Sequence, residues 1–144
     1  MLKVVDLIND FREKGRRVTP QRLAIFKALE GNIAHPTAED LYRLLVARHP
    51  TLTLATVYQT LKILKEDGAL MELHLAGDRR HYDPETTPHS HAVCTSCGTV
   101  EDVMDETVLP VPEGNGNFEF TGYRISYYGR CADCRGSGNH QNRK

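Results

Sequence analysis

The sequence predicts an α+β chain in two parts. Three observations carry that prediction. Four amphipathic segments of helical period occupy most of residues 1–66, two short apolar segments separated by a turn follow them, and two C-x-x-C pairs mark the rest.

Residues 4–14 place Val4, Leu7, Ile8 and Phe11 at helical spacing, and Gly15 ends the helix. Thr19 is a helix cap with Pro20 at the first helical position. The second helix presents Leu23, Phe26 and Leu29 and stops near Gly31-Asn32. Thr37-Ala38-Glu39-Asp40 reads as a capping box with Asp in the third position, opening a helix that buries Leu41, Leu44 and Leu45. Thr53 caps a fourth helix with Leu54, Val57, Leu61 and Leu64 inward, closed by Gly68. Residues 69–75 and 79–83 read as two strands around a turn at Ala76-Gly77-Asp78. Short helices followed by a β-hairpin make a winged helix-turn-helix domain over residues 1–83. Residues 84–88 are a proline- and threonine-rich hinge, residues 89–135 a small α/β domain, and residues 136–144 a flexible tail. Within the second domain the strand pattern falls on 92–94, 99–104 and 118–125, and the prolines and glycines of 109–117 predict a loop.

Composition narrows the function classes. No apolar run approaches a membrane span, and the acidic, amphipathic start at Met1–Asp6 argues against a signal peptide, so a cytoplasmic protein is expected. Residues 1–83 hold 13 Lys and Arg against 11 Asp and Glu, whereas residues 84–144 hold 5 against 8. A basic half beside an acidic half suits a nucleic-acid reader joined to a cation-binding module.

All four cysteines, Cys94, Cys97, Cys131 and Cys134, lie in the C-x-x-C pairs. A tight turn brings both sulfurs of a pair to one side, and Gly98 helps the first turn close. Four thiolates in a tetrahedron suit a closed structural zinc site. The competing reading, redox C-x-x-C chemistry, lacks the βαβ setting such motifs occupy.

His89-Ser90-His91 is an H-x-H pair; on a strand both imidazoles share one face and reach one ion. Asp83 and Glu101-Asp102 lie nearby in sequence, and Glu101 and Asp102 face opposite ways on a strand, so one of them is the ligand. The bland alternative is a pair of surface histidines. His35 in isolation reads as a solvated loop residue, and His49, His74, His81 and His140 as structural or solvated. A nitrogen and oxygen set of His35, Asp83, His89, His91 and Asp102 suits Fe(II) or Mn(II). One ion held from both sides of the hinge would fix the angle between the domains, the two-state element that allosteric control requires.

If residues 53–66 are a recognition helix, its polar face carries Thr56, Tyr58, Gln59 and Lys62. Glutamine pairs with adenine and an aromatic ring touches a thymine methyl. Lys62, Arg16, Arg17 and Arg22 suit phosphates, and Arg79 and Arg80 a backbone or minor groove. A solvated polar face is the alternative.

Four motifs occur in order: Val18-Thr19-Pro20-Gln21-Arg22, His35-Pro36-Thr37-Ala38-Glu39-Asp40-Leu41-Tyr42, Ala55-Thr56-Val57-Tyr58-Gln59-Thr60-Leu61, and His89-Ser90-His91-Ala92-Val93-Cys94-x-x-Cys97-Gly98. With them the chain resembles the ferric uptake regulator family over nearly its whole length. The resemblance implies a homodimeric repressor that binds AT-rich inverted repeats of double-stranded DNA when loaded with metal. It implies structural zinc at the four cysteines, a regulatory Fe(II) or Mn(II) site at His35, Asp83, His89, His91 and Asp102, and a base-contacting Tyr58. Asp102, where iron-uptake members usually carry Glu, is similar to the peroxide-sensing branch. In that branch Fe(II) reacts with peroxide, the ligands matching His35 and His89 are oxidised, and the repressor leaves DNA. The segment Ile125-Ser126-Tyr127-Tyr128-Gly129 is short and lacks the histidine of the family's accessory site. The alternative within the family is an iron- or zinc-uptake regulator. Where relatives have a dimerisation helix, residues 108–117 carry two prolines and two glycines, so dimerisation is expected to rest on strands.

Two other classes compete. A metal hydrolase would need an open coordination position, a general base and a pocket, and no such motif is present, so no enzyme activity and no small-molecule substrate are expected. A metal-storage or zinc-ribbon module would not need the recognition-helix pattern.

Overall fold

The computed structural model describes residues 1–75, 79–104, 109–114, 116–120 and 122–136. The chain divides into two compact units, Met1–Thr87 and Pro88–Lys144. Among the described residues no helix is long and apolar enough to cross a membrane.

The first unit holds four helices and a two-stranded sheet: α1 (Val4–Glu13), α2 (Pro20–Leu29), α3 (Ala38–Val46), α4 (Leu54–Glu66), β1 (Met71–His74) and β2 (Arg80–Asp83). Side-chain caps start three of the helices. Thr19 accepts from the Arg22 amide and Thr53 from the Thr56 amide. At α3 the expected capping box is complete: the Asp40 amide donates to Thr37 Oγ1 at 3.1 Å, and the Thr37 amide donates back to Asp40 Oδ2 at 3.0 Å. Gly68, at φ +74°, ends α4 in the left-handed conformation that glycine tolerates, and the Ala69 amide closes back onto the Leu64 carbonyl.

The core joins all four helices. Leu7 and Phe11 of α1 meet Ile25, Phe26 and Leu29 of α2, Leu41 of α3, and Val57, Leu61 and Leu64 of α4. Phe11 and Phe26 pack edge to face with centroids 5.0 Å apart. The guanidinium groups of Arg16 and Arg22 lie 5.6 Å from the Phe11 centroid and cap the cluster. One core expectation fails. Leu44 is 64% exposed, because α3 turns a narrower face inward than the Leu41, Leu44, Leu45 spacing suggests.

Strands β1 and β2 pair antiparallel from Met71↔Asp83 to His74↔Arg80. They are shorter than the expected 69–75 and 79–83, and the turn at 76–78 lies outside the described residues. Glu72 of β1 is buried, yet charged groups surround it: Lys65 from α4 bonds it, and Arg80 Nη1 lies 3.3 Å away. The Lys65 bond, with Arg80 and His74 adding to it, outweighs burial and holds the Glu72 pKa below its ordinary 4.5. A carboxylate depressed in the folded state stabilises fully above its unfolded pKa, and loses that contribution as pH falls through the folded value. Below about pH 4.5, Glu72→Gln is therefore expected to flatten the acid-side fall of the unfolding midpoint, a change read from thermal melts across pH 2–6.

The second unit is a three-stranded sheet of β3 (Ser90–Cys94), β4 (Val100–Val103) and β5 (Ser126–Gly129), in the order β4-β3-β5, followed by the one-and-a-half-turn α5 (Ala132–Gly136). β4 pairs antiparallel and β5 parallel to β3. This corrects the expected strand at 118–125, whose described residues form no strand; the pairing falls on Ser126–Gly129 instead. The aromatic residues Phe118, Phe120 and Tyr123, the first two in alternation, were the misleading signal. Those rings are exposed, while the register of β3 sets Tyr127 and Tyr128 opposite Ala92 and Val93. The described residues of 109–117 form neither helix nor strand, as their prolines and glycines predict; residues 108, 115 and 137–144 lie outside the described set.

Candidate metal centres and DNA-reading face

β3, its following turn and α5 bring the four cysteines together. β3 delivers Cys94 at its end. The turn after it closes with the Gly98 amide on the Cys94 carbonyl at 2.9 Å, with Gly98 at φ +76°, and this carries Cys97 back beside Cys94. The Thr95 amide donates to the Gly129 carbonyl at 2.8 Å and ties this turn to β5, which leads directly into Cys131 and α5. The first turn of α5 then presents Cys134 on the same side.

The four sulfurs lie within 4.8 Å of one another, and Cys97 and Cys131 are 3.7 Å apart. Tetrahedral zinc at about 2.3 Å from each sulfur sets them about 3.8 Å apart. The cysteines are thiols, not disulfides. Main-chain N–H groups of Cys131, Cys97 and Ser96 point at Cys94 and lower its pKa to about 6. The Cys131 sulfur, burial and the other two sulfurs push Cys134 up to about 12. Four thiolates packed this tightly repel one another unless a cation sits among them, so the donor set fits a divalent metal.

The nitrogen and oxygen candidates form one set within each unit. In the first unit, His35 precedes α3 and Asp83 ends β2. His35 Nε2 is 3.7 Å from Asp83 Oδ2, and both side chains are at most 2% exposed. A solvated loop histidine is thus the wrong reading of His35. Its backbone is also unusual, the sole non-glycine among the described residues at positive φ, +47°. Such a conformation costs an L-residue about 1–2 kcal/mol. In the second unit, His89 precedes β3 and His91 lies on it. Their rings are 4.4 Å apart, on one side as the H-x-H spacing requires. Asp102, opposite His91 in the β3–β4 register, places Oδ1 3.1 Å from His89 Nε2 and 3.8 Å from His91 Nε2. Glu101 is exposed, so Asp102 is the carboxylate of the pair that meets the histidines.

The DNA-reading candidates divide by exposure. Tyr58, Gln59 and Lys62 are exposed on α4, while Thr56 is half-buried at its first turn, 2.9 Å from the Thr53 hydroxyl. Arg22 is engaged within the fold, donating to the Arg17 carbonyl at 2.8 Å besides stacking on Phe11. Tyr58 donates to Glu39 Oε1 of α3 at 2.5 Å, a bond that raises the Tyr58 pKa and lowers that of Glu39. Around this pair Thr37, Arg43, Arg79 and Arg80 line an open cleft. Glu39 was not singled out in the sequence; its place inside the Thr37–Asp40 capping box, on the helix before the one that carries Tyr58, was the available signal. Of the two readings offered for His81, structural or solvated, the first fits: its Nδ1 lies 2.8 Å from the His35 carbonyl oxygen.

This α+β arrangement is that of metal-responsive regulators of known structure. The ferric uptake regulator of Helicobacter pylori, described as having three functional metal-binding sites, matches with a TM-score of 0.74 over 94% of each chain, at 17% identity, which shows the fold. The chain belongs to the ferric uptake regulator family, which its residues 13–128 match. It is 34% identical to the peroxide operon regulator of Bacillus subtilis over 139 residues, 94% of this chain and 95% of that one. PerR from Streptococcus pyogenes, whose structure is described as the basis for peroxide sensing and gene regulation, matches at 30% identity and TM-score 0.56 over 93% of this chain and 94% of that one.

Proposed function

We propose that the chain is a homodimeric, metal-dependent transcriptional repressor that responds to peroxide. The observation that carries this is the pair of incomplete N/O sets. His35 and Asp83 are too few to hold a transition metal by themselves, and His89, His91 and Asp102 supply two imidazoles and a carboxylate that leave coordination positions open for further ligands. The two sets sharing one Fe(II) or Mn(II) ion would complete a five-ligand site and couple its occupancy to the arrangement of the units. Zinc at Cys94, Cys97, Cys131 and Cys134 would be structural. When bound, Fe(II) supplies the electrons that activate peroxide beside the ligands.

The chain's own residues do the rest. Asp83 and Asp102 supply negative charge that favours a divalent ion over the bare imidazoles. As ligands, His35 and His89 would stand beside the ion, which makes them the candidate oxidation sites. On α4, Tyr58, Gln59 and Lys62, with Thr56 at the helix start, face outward for an AT-rich inverted repeat. Arg22, expected at a phosphate, would instead support the fold through the Arg17 carbonyl and Phe11. The similarity to regulators named for peroxide, together with Asp102 as the second-unit carboxylate, favours this over the alternative, an iron- or zinc-uptake regulator that uses its metal as co-repressor.

Peptide mass spectrometry separates the two. After Fe(II) loading and peroxide, oxygen is expected on His35 or His89, and Mn(II)-loaded protein is expected to stay unmodified. Intact histidines in protein with demonstrated iron binding would favour the uptake regulator.

A further inference from the structure

The last three residues of β2 all reach the loop that carries His35. Asp83 places its carboxylate beside the His35 imidazole. The Tyr82 amide donates to the Pro36 carbonyl at 3.0 Å. His81 Nδ1 lies 2.8 Å from the carbonyl oxygen of His35 itself. A carbonyl only accepts, so the imidazole donates, and neutral His81 is the Nδ1–H tautomer.

The bond acts where the backbone most needs support. His35 sits at φ +47°, a conformation that its β-carbon opposes. Pro36 after it biases it toward an extended backbone instead. A strained conformation of this kind persists when its surroundings over-determine it. Rotation out of it would turn the His35 carbonyl away from His81 and the imidazole away from Asp83.

We propose that His81 is a positioning residue for metal binding: its Nδ1–H···O=C bond holds His35 in the left-handed conformation from which the imidazole faces Asp83. The inference rests on the reading of His35 and Asp83 as metal ligands. Because donor, amide and carboxylate are consecutive on one strand, β2 aligns the ligand pair as a unit.

The test uses the full chain with zinc in place and Mn(II) as the probe. Loss of a group that orients a metal ligand costs about 10–100-fold in affinity. His81→Leu, which keeps bulk and removes the donor, is expected to weaken Mn(II) binding by about that factor. His81→Asn, whose amide nitrogen stands near the place of Nδ1, is expected to restore most of it. Nitrogen-15 NMR of metal-free protein gives a second readout, in which His81 is expected to show a slowly exchanging Nδ1 proton. A Leu variant that binds like wild type, equal losses in the Leu and Asn variants, or an Nε2–H tautomer at His81 would each overturn the inference alone. If wild-type protein takes up no Mn(II), or His35→Ala binds it unchanged, the ligand reading fails and takes this inference with it.

Discussion

Cys131→Ser is expected to unfold the Pro88–Lys144 unit while leaving α1–α4 folded. The second unit has little apolar core to fall back on. Among its described residues the buried apolar ones are Val93 and Val100, with Cys94 and Cys134 themselves the remainder. The sheet is short, with four- and five-residue strands. The cysteine cluster is what ties the turn after β3 to α5. The Cys131 amide also donates to Cys94 Sγ at 3.3 Å, so the cluster is hydrogen-bonded as well as mutually packed. Structural zinc contributes about 10–16 kcal/mol of binding free energy in small zinc domains, comparable to the whole stability of a typical domain, about 5–15 kcal/mol. Removing one thiolate forfeits a large part of it. Hydrogen exchange checks the outcome residue by residue: the amides of β3, β4 and β5 are expected to lose protection, and those of α2 and α4 to keep it. On the homodimer reading, gel filtration is expected to show a shift to monomer. A zinc-free variant that retains protected β3–β5 amides and stays dimeric would remove the structural role from the cluster.

This contrast between the units also explains what was legible in the sequence. The first unit is built from local signals. Thr19-Pro20, Thr37 with Asp40, and Thr53 each start a helix within three residues of the cap, and the spacings of Phe11, Phe26 and Leu61 name the core. The clustering of the four cysteines was equally readable, since a C-x-x-C turn is local and two of them at this spacing read as one zinc site. Failures fall where long-range geometry decides. The strand beside β3 is chosen by register against a segment some 35 residues away, and local alternation pointed to Phe118 and Phe120 instead. Leu44 follows the helical period of its neighbours, but the width of the inward face is set by what α3 packs against. His35 is the clearest case. Its proline neighbour argues for extended backbone, whereas contacts from β2, distant in sequence, hold it left-handed and buried. Glu39 escaped notice, and His81 was left between two readings, for the same reason: each acts on a residue from another element.

Asp102→Ala is expected to abolish the metal response while preserving the fold and zinc content. Asp102 is 18% exposed and lies on β4, a strand whose backbone pairing with β3 does not depend on its side chain. Its Oδ1 approaches both His89 Nε2 and His91 Nε2. Removing it leaves two imidazoles without their carboxylate and takes one negative charge from a site proposed for a dication. Loss of a coordinating carboxylate exceeds the loss of a group behind a ligand, itself about 10–100-fold. Mn(II) affinity is therefore expected to fall by at least about 100-fold, and operator binding at fixed Mn(II) to fall with it, since a ligand shifts an equilibrium only through its differential affinity for the two states. Zinc content, measured by atomic emission, is expected to stay at the wild-type ratio. Asp102→Glu refines the test: the longer side chain retains the charge but displaces the oxygen from its 3.1 Å approach to His89. It is expected to recover Mn(II)-dependent DNA binding and, on the peroxide-sensor reading, to oxidise at His89 less readily in the Fe(II)-loaded protein. Unchanged Mn(II) affinity in Asp102→Ala would place the regulatory ion elsewhere, and with it the link between metal and DNA.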